Sequence, residues 1–106
     1  MTFHYSAEDI RVDDGHILRA RLQNGEGEWV DAEIDLNAHI GNDNGYFVWD
    51  GENFSESAQD VQFSIEGDGE VPVLRAVLSD ADGNQETRDI NLGERISNNN
   101  GNFEYN

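Results

Sequence analysis

The 106-residue chain is predicted to be mainly β, with short helical turns, and three observations carry that reading. First, the chain repeats itself. Leu18-Arg19-Ala20 returns as Leu74-Arg75-Ala76, Ile34-Asp35-Leu36 as Ile90-Asn91-Leu92, Ile40 as Ile96, Asn42-Asp43-Asn44-Gly45 as Asn98-Asn99-Asn100-Gly101, and Phe47 as Phe103, all at a shift of 56. The front edges match at a shift of 51, Phe3 with Phe54, Ser6-Ala7 with Ser57-Ala58, and Asp9 with Asp60. The difference places a five-residue insertion between Val61 and Val73, near Gly67-Asp68-Gly69. Second, apolar residues alternate with polar ones at several places, the period of a half-buried strand. Third, Asn-Gly and Asp-Gly pairs fall between the alternating segments, where hairpin turns need positive φ.

Each element follows in order. Ser6, ahead of Ala7 and an acid, has the look of a cap on a single helical turn, and Asp9 to Val12 reads as the first strand. Leu18, Ala20 and Leu22 share one face of the next strand. Asn24-Gly25 is the turn to a partner strand over Glu28 to Ile34. Leu36 and Ile40 stand at helical spacing, but the segment is too short for a stable helix and predicts a helical turn. Asn44-Gly45 turns into a short strand, Tyr46 to Trp49, with Phe47 and Trp49 on one side. Asp50-Gly51-Glu52-Asn53 joins the repeats, as a tight turn or as a hinge that permits domain swapping. The second copy then runs through Ser57, Val61 to Ile65, a strand with Leu74, Ala76 and Leu78 inward, Asp82-Gly83, Glu86 to Ile90, a turn over Asn91 to Ile96, Asn100-Gly101 and Asn102 to Tyr105.

The chain is one domain, 1–106, made of sequence repeats 1–50 and 51–106. Each repeat is close to the size at which a core becomes marginal, so the two are expected to share one. The expected core is Leu18, Leu22, Leu36, Ile40 and Phe47 with their copies Leu74, Leu78, Leu92, Ile96 and Phe103. Without Cys there is neither a disulfide nor a thiolate metal ligand. Met1 to Ile10 has no apolar run of the signal-peptide kind, and the expected location is the cytoplasm, with unconventional secretion as the alternative. The formal charge is −17, from 23 acids and six bases, and every base is Arg. Such a field opposes contact with nucleic acid or an anionic membrane. It suits either simple solubility or a DNA mimic that occupies a nucleic-acid-binding protein.

No catalytic or metal constellation stands out. His4, His16 and His39 lack metal-ligand spacing. Asp80-Ala81-Asp82-Gly83-Asn84 resembles a calcium loop, yet its Gly comes too early and no Glu follows at the twelfth position. No pair of carboxylates is singled out for glycoside hydrolysis. Trp49 is expected in the core, whereas Trp29, with Gln85 as its copy, has no assigned place.

The residues Ile34-Asp35-Leu36-Asn37, Ile40, Asn42, Gly45, Trp49, Asn53-Phe54 and Glu56, continued by Ile90-Asn91-Leu92, Ile96, Asn98, Gly101 and Tyr105, resemble the cyanovirin-N family of small lectins over essentially the whole chain. The resemblance implies a pseudo-two-fold ellipsoid of two triple-stranded sheets and two β-hairpins, with short helical turns. It further implies halves that exchange strands, 1–38 with 92–106 and 39–91. It implies a metal-free carbohydrate-binding lectin with no enzymatic activity and no cofactor, whose partner is a high-mannose oligosaccharide or glycoprotein glycan ending in α1–2 mannose. A monomer is expected, with a domain-swapped dimer as the alternative. Disulfides of the founding member give way here to Ala7 with Leu22 and Ala58 with Leu78.

By the same resemblance, sugar contacts in the central half fall to Asn42, Asn44, Glu52, Asn53, Glu56, Ser57, Ser79 and Asp80, with Gly41 where the family has an acid and Ala81 where it has an Arg. Those of the terminal half fall to Thr2, Ser6, Gln23, Asn24, Asn98, Asn99 and Asn100. Amides, hydroxyls and carboxylates in this mixture can match the vicinal hydroxyls of a sugar. Read on their own chemistry, the same Asn and Asp residues are also turn formers. The alternative function is an acidic protein-interaction module that keeps the fold without sugar binding.

Overall fold

A computed structural model describes residues 3–69 and 71–106. Among the described residues, ten strands make two three-stranded sheets and two hairpins. A 3₁₀ turn, Phe3–Ser6, leads into β1 (Ala7–Asp13), β2 (Ile17–Gln23) and β3 (Trp29–Asp35), an antiparallel sheet in that order. A second 3₁₀ turn, Leu36–Ala38, precedes the hairpin β4 (Ile40–Asp43) and β5 (Tyr46–Trp49). The pattern then repeats with Phe54–Ser57, β6 (Ala58–Glu66), β7 (Val71–Ser79), β8 (Gln85–Asn91), Leu92–Glu94, β9 (Ile96–Asn99) and β10 (Asn102–Tyr105). The molecule measures 50 × 27 × 21 Å, and none of the described helices is long and apolar enough to cross a membrane. The β9–β10 hairpin lies against the Phe3–Ser6 turn and β3, and the β4–β5 hairpin against the Phe54–Ser57 turn and β8.

Alternation places the core. Leu18, Leu36, Ile40, Leu74, Leu92 and Ile96 are fully buried in one cluster that draws on both repeats. Phe3 and Phe54 are fully buried with them, and open the two 3₁₀ turns, where strand periodicity gives no signal. Phe47 and Phe103, expected inside, are only partly buried; each packs edge-on against one of those phenylalanines, Phe103 on Phe3 at 5.4 Å and Phe47 on Phe54 at 5.7 Å. Ala7 stands directly across from Leu22 and Ala58 from Leu78 in the ladders, so each small residue faces a buried leucine. Trp49 packs against the core, whereas Trp29, at the start of β3, is 42% exposed.

The five-residue insertion lengthens one hairpin. β1 and β2 close at Asp13 opposite Ile17, β6 and β7 at Glu66 opposite Val71. Two more residues in each strand and one in the turn account for it.

Turn chemistry departs from expectation at two places. Asn44-Gly45 and Asn100-Gly101 carry the expected positive φ at both positions, the requirement of a two-residue hairpin. In the β2–β3 and β7–β8 loops only Gly27 and Gly83 do so, and Gly25 is not among them. These are longer loops closed by side chains: Asn24 Oδ1 accepts from the Glu26 and Glu28 amides, and Asp80 Oδ1 from those of Asp82 and Asn84. The counterpart of Gly83 is therefore Gly27. Ser6 and Ser57, expected to cap the starts of helical turns, instead end them. Caps of that kind are supplied elsewhere, where Asp35 and Asn91 accept from the amides of Asn37 and Gly93.

Candidate functional site

The Asn-x-Asn-Gly segment of each hairpin is tied by its side chains to two other loops. In the central half, Asn42 Oδ1 accepts from the Gly45 amide at 2.8 Å, and Nδ2 donates to Ser57 Oγ at 2.7 Å and to the Ser79 carbonyl at 2.8 Å. Asn44 Oδ1 accepts from the Ala81 amide at 2.9 Å. Thus β4, the Phe54–Ser57 turn and the end of β7 meet at the Asn42 carboxamide, and Asn44 ties in the β7–β8 loop. Gly45 is needed twice, for its left-handed backbone and for its approach to Asp80, whose Cβ would lie 3.2 Å from a Cβ at position 45. Asp80 meanwhile holds its own loop through Oδ1.

The joint brings the rest of the central set to the same edge. Asn53 forms an antiparallel bridge with Gly41 beside Asn42, and its amide donates to the Asn37 carbonyl at 2.8 Å. Asn37 also grips Ser55, its Nδ2 donating to Ser55 Oγ at 2.7 Å and its Oδ1 accepting from the Ser55 amide at 3.1 Å. Glu52, Asn53, Glu56 and Ser57 are exposed around this frame. The structure therefore assembles Asn42, Asn44, Asn53, Ser57, Ser79 and Asp80 along one edge, with Glu52 and Glu56 beside them. Asn37 was missed as a positioning residue; the available signal was that its copy is Gly93, so one repeat holds an amide that the other lacks.

The terminal half repeats the arrangement. Asn98 Oδ1 accepts from the Gly101 amide at 2.8 Å, and Nδ2 donates to Ser6 Oγ at 2.8 Å and the Gln23 carbonyl at 2.9 Å. Asn100 Oδ1 accepts from the Gly25 amide at 2.7 Å. Ser6, Gln23, Asn24, Asn98 and Asn100 come together. Asn99 bonds instead to Glu104 across its own hairpin, at 3.0 Å, because strand alternation turns it away from its neighbours. Thr2 lies outside the described residues.

These contacts divide the labour within each cluster. Asn42 and Asn98 spend both amide hydrogens inside the fold, so their task is to fix the edge, and each keeps one lone pair for a ligand. The outward groups are the Ser57 hydroxyl proton, the Asn44 and Asn53 amides, and the carboxylates of Asp80, Glu52 and Glu56. Such a rigid array of donors and acceptors can take up a neutral polyhydroxyl compound. It contains no nucleophile paired with a base. Among the described residues, no group of three or more His, Cys, Asp or Glu side chains is placed to hold a metal ion.

Comparison with known proteins agrees over the full length. A family model described as the CVNH domain matches residues 3–104. A "Cyanovirin-N homolog" of Neurospora crassa is 47% identical over 108 residues, covering 98% of this chain and 97% of the relative. The solution structure of the Gibberella zeae CVNH is similar with a TM-score of 0.90 and 48% identity, over 97% of this chain and 95% of that one. A microvirin complex with mannobiose is similar at a TM-score of 0.88 and 30% identity, over 99% and 98%. A MoCVNH3 variant in complex with (N-GlcNAc)4 is similar at 0.83 and 28%, over 98% and 96%.

Proposed function

Because this chain belongs to the CVNH domain family, a family of carbohydrate-binding lectins, we propose that it recognises mannose-type glycans, α1–2-linked mannose ends in particular, at the central cluster and without a metal ion. The observation that carries the reading is the Asn42 frame. β4, the Phe54–Ser57 turn and the end of β7 are locked by one carboxamide, so the outward hydroxyl, amides and carboxylates are ordered before a ligand arrives, and little conformational entropy is lost on binding. The mannobiose held by the microvirin relative supports the choice of sugar.

The expected affinity for α1–2 mannobiose is weak, a Kd of about 0.1–1 mM, because few contacts form and sugar hydroxyls must give up water. An NMR titration of the labelled chain with the disaccharide reads it directly, through amide shifts at Ser57, Asn53 and Asp80 that saturate together. Silence at all three with millimolar sugar would leave the second reading, an acidic interaction module, which Gly41 and Ala81 favour by removing two contacts from the edge. A glycan array then separates the two readings, and also mannose from N-acetylglucosamine chains.

A further inference from the structure

On the other side of the β4–β5 hairpin, a groove of about 410 Å³ runs between β5, β8 and the Leu92–Glu94 turn. Its floor includes Phe47 and Trp49, and its rim carries Tyr46, Arg88, Asp89 and Glu94. Tyr46 is 57% exposed, and its ring is held in place. The Arg88 guanidinium carbon lies 3.9 Å from the ring centroid, and Arg88 Nε donates to the Gly45 carbonyl at 2.8 Å. Trp49 Nε1 donates to Glu94 Oε1 at 3.3 Å, which fixes the indole and one carboxylate together.

The repeat supplies an internal control. At the matching positions of the other half, Tyr46 becomes Asn102, Arg88 becomes Ala32, and Glu94 becomes Ala38. The fold is satisfied there without an aromatic rim, a guanidinium or a carboxylate, so these three side chains are not required by the architecture. They form an addition confined to one half. The mixture also selects a ligand class. Asp89 and Glu94 accept hydrogen bonds, the Nη groups of Arg88 donate them while its Nε–H and the indole N–H are already held by Gly45 and Glu94, and the aromatic groups offer apolar area. A cation would meet Arg88, and an anion would meet the two carboxylates and a chain of net charge −17. A neutral pyranose, with one C–H face for the rings and hydroxyls for the rim, meets neither penalty.

We propose that this groove is a second, aromatic-lined sugar subsite, separate from the Asn42 cluster and present in the central half alone. It rests on the lectin reading but not on which cluster serves it. Gly45 links the two, its amide turned to Asn42 and its carbonyl to Arg88, so occupants would lie on opposite sides of one hairpin turn.

Titration of the full chain with methyl α-mannopyranoside and α1–2 mannobiose, followed by NMR, tests the subsite. Trp49 and Trp29 are the two tryptophans, so the indole N–H signal of Trp49 is a reporter inside the groove and that of Trp29 a control outside it. The expected result is a saturable shift of the Trp49 indole and Arg88 Nε–H signals in the wild type. A Ser57→Ala/Asp80→Ala variant should retain that shift, Tyr46→Phe should keep it, and Tyr46→Asn should weaken it about tenfold through loss of the ring. Movement of the Ser57 and Asp80 signals with a still Trp49 indole would overturn the subsite and leave the cluster standing. Movement of Trp49 in the wild type that is abolished in the cluster variant would also overturn it, by showing a relayed effect. Movement of Trp49 with a silent cluster would support the subsite and remove the cluster, and silence at both would end both.

Discussion

Glu66 ends β6 with Arg75 Nη1 2.5 Å from its Oε2, and the Ser64 hydroxyl donates to the same oxygen at 2.6 Å. The Arg75 hydrogen bond first, and that of Ser64 second, bring its carboxyl from the ordinary 4.5 to about 2. A folded-state value below the unfolded one stabilises the fold above the unfolded value, and that contribution is lost as the pH falls through the folded one. The window therefore runs from pH 4.5 down to about 2. Glu66→Gln is expected to flatten the acid limb of stability across that window, measured by urea denaturation at stepped pH. Added salt should shrink the difference, since the pair is exposed. An acid limb of unchanged slope in the variant would remove Glu66 from the account. No sequence pattern marked this pair. Glu66 and Arg75 are nine positions apart, and Glu66 belongs to the lengthened part of a hairpin whose register the repeat did not supply.

The strands show where a pattern reads truly and where it hides a feature. Leu18, Ala20, Leu22 and their copies were legible as inward positions because a period of two has a single physical meaning in a half-buried sheet. The same alternation concealed the bulges. The β1–β2 register shifts between Glu8 and Arg11, and the β6–β7 register between Gln59 and Gln62. Asp9 and Asp60 take φ of 55° and 54° there. Every non-glycine residue with positive φ among the described residues is Asp or Asn, the types that tolerate the left-handed region. Within a strand, however, an Asp reads only as the polar half of an alternation. Asp60 is exposed, so a surface substitution would ordinarily cost little. Because of its backbone, Asp60→Val is expected to lower stability by about 1–2 kcal/mol, whereas Asp60→Gly should not, by urea denaturation. Equal stability of the Val and Gly variants would show that the bulge relaxes. The candidate site was legible to a similar depth. Asn42, Ser57 and Asp80 were identifiable as a set, but Asn37 was not, since its contacts cross from one helical turn to another.

At the scale of the molecule, the repeat and its joint could be read from the sequence, while the packing of the joint could not, because it is a contact between two backbones. Gly51 lies over Gly41: a Cβ at 51 would sit 2.7 Å from the Gly41 nitrogen and 2.8 Å from its Cα. Next to it, the Tyr105 hydroxyl donates to Asp50 Oδ1 and accepts from the Asp50 amide at 3.1 Å. A joint that needs a glycine to lie flat favours the closed chain, and a net charge of −17 opposes association. A monomer is expected at neutral pH, and Gly51→Pro is expected to lift the joint off β4 and raise the fraction of swapped dimer. Light scattering decides it. A dominant wild-type dimer, or a Pro variant that stays monomeric, would show that the glycine contact does not govern the joint. The tie between Tyr105 and Asp50 also has a meaning in time. A chain is made from its N-terminus, so β1, β2 and β3 leave the ribosome before β9 and β10, which lie against the Phe3–Ser6 turn and β3. β4 to β8 can pair before β9 and β10 have emerged. The first sheet must therefore wait, with the side that β9 and β10 will cover open to water and to chaperones, until that hairpin arrives.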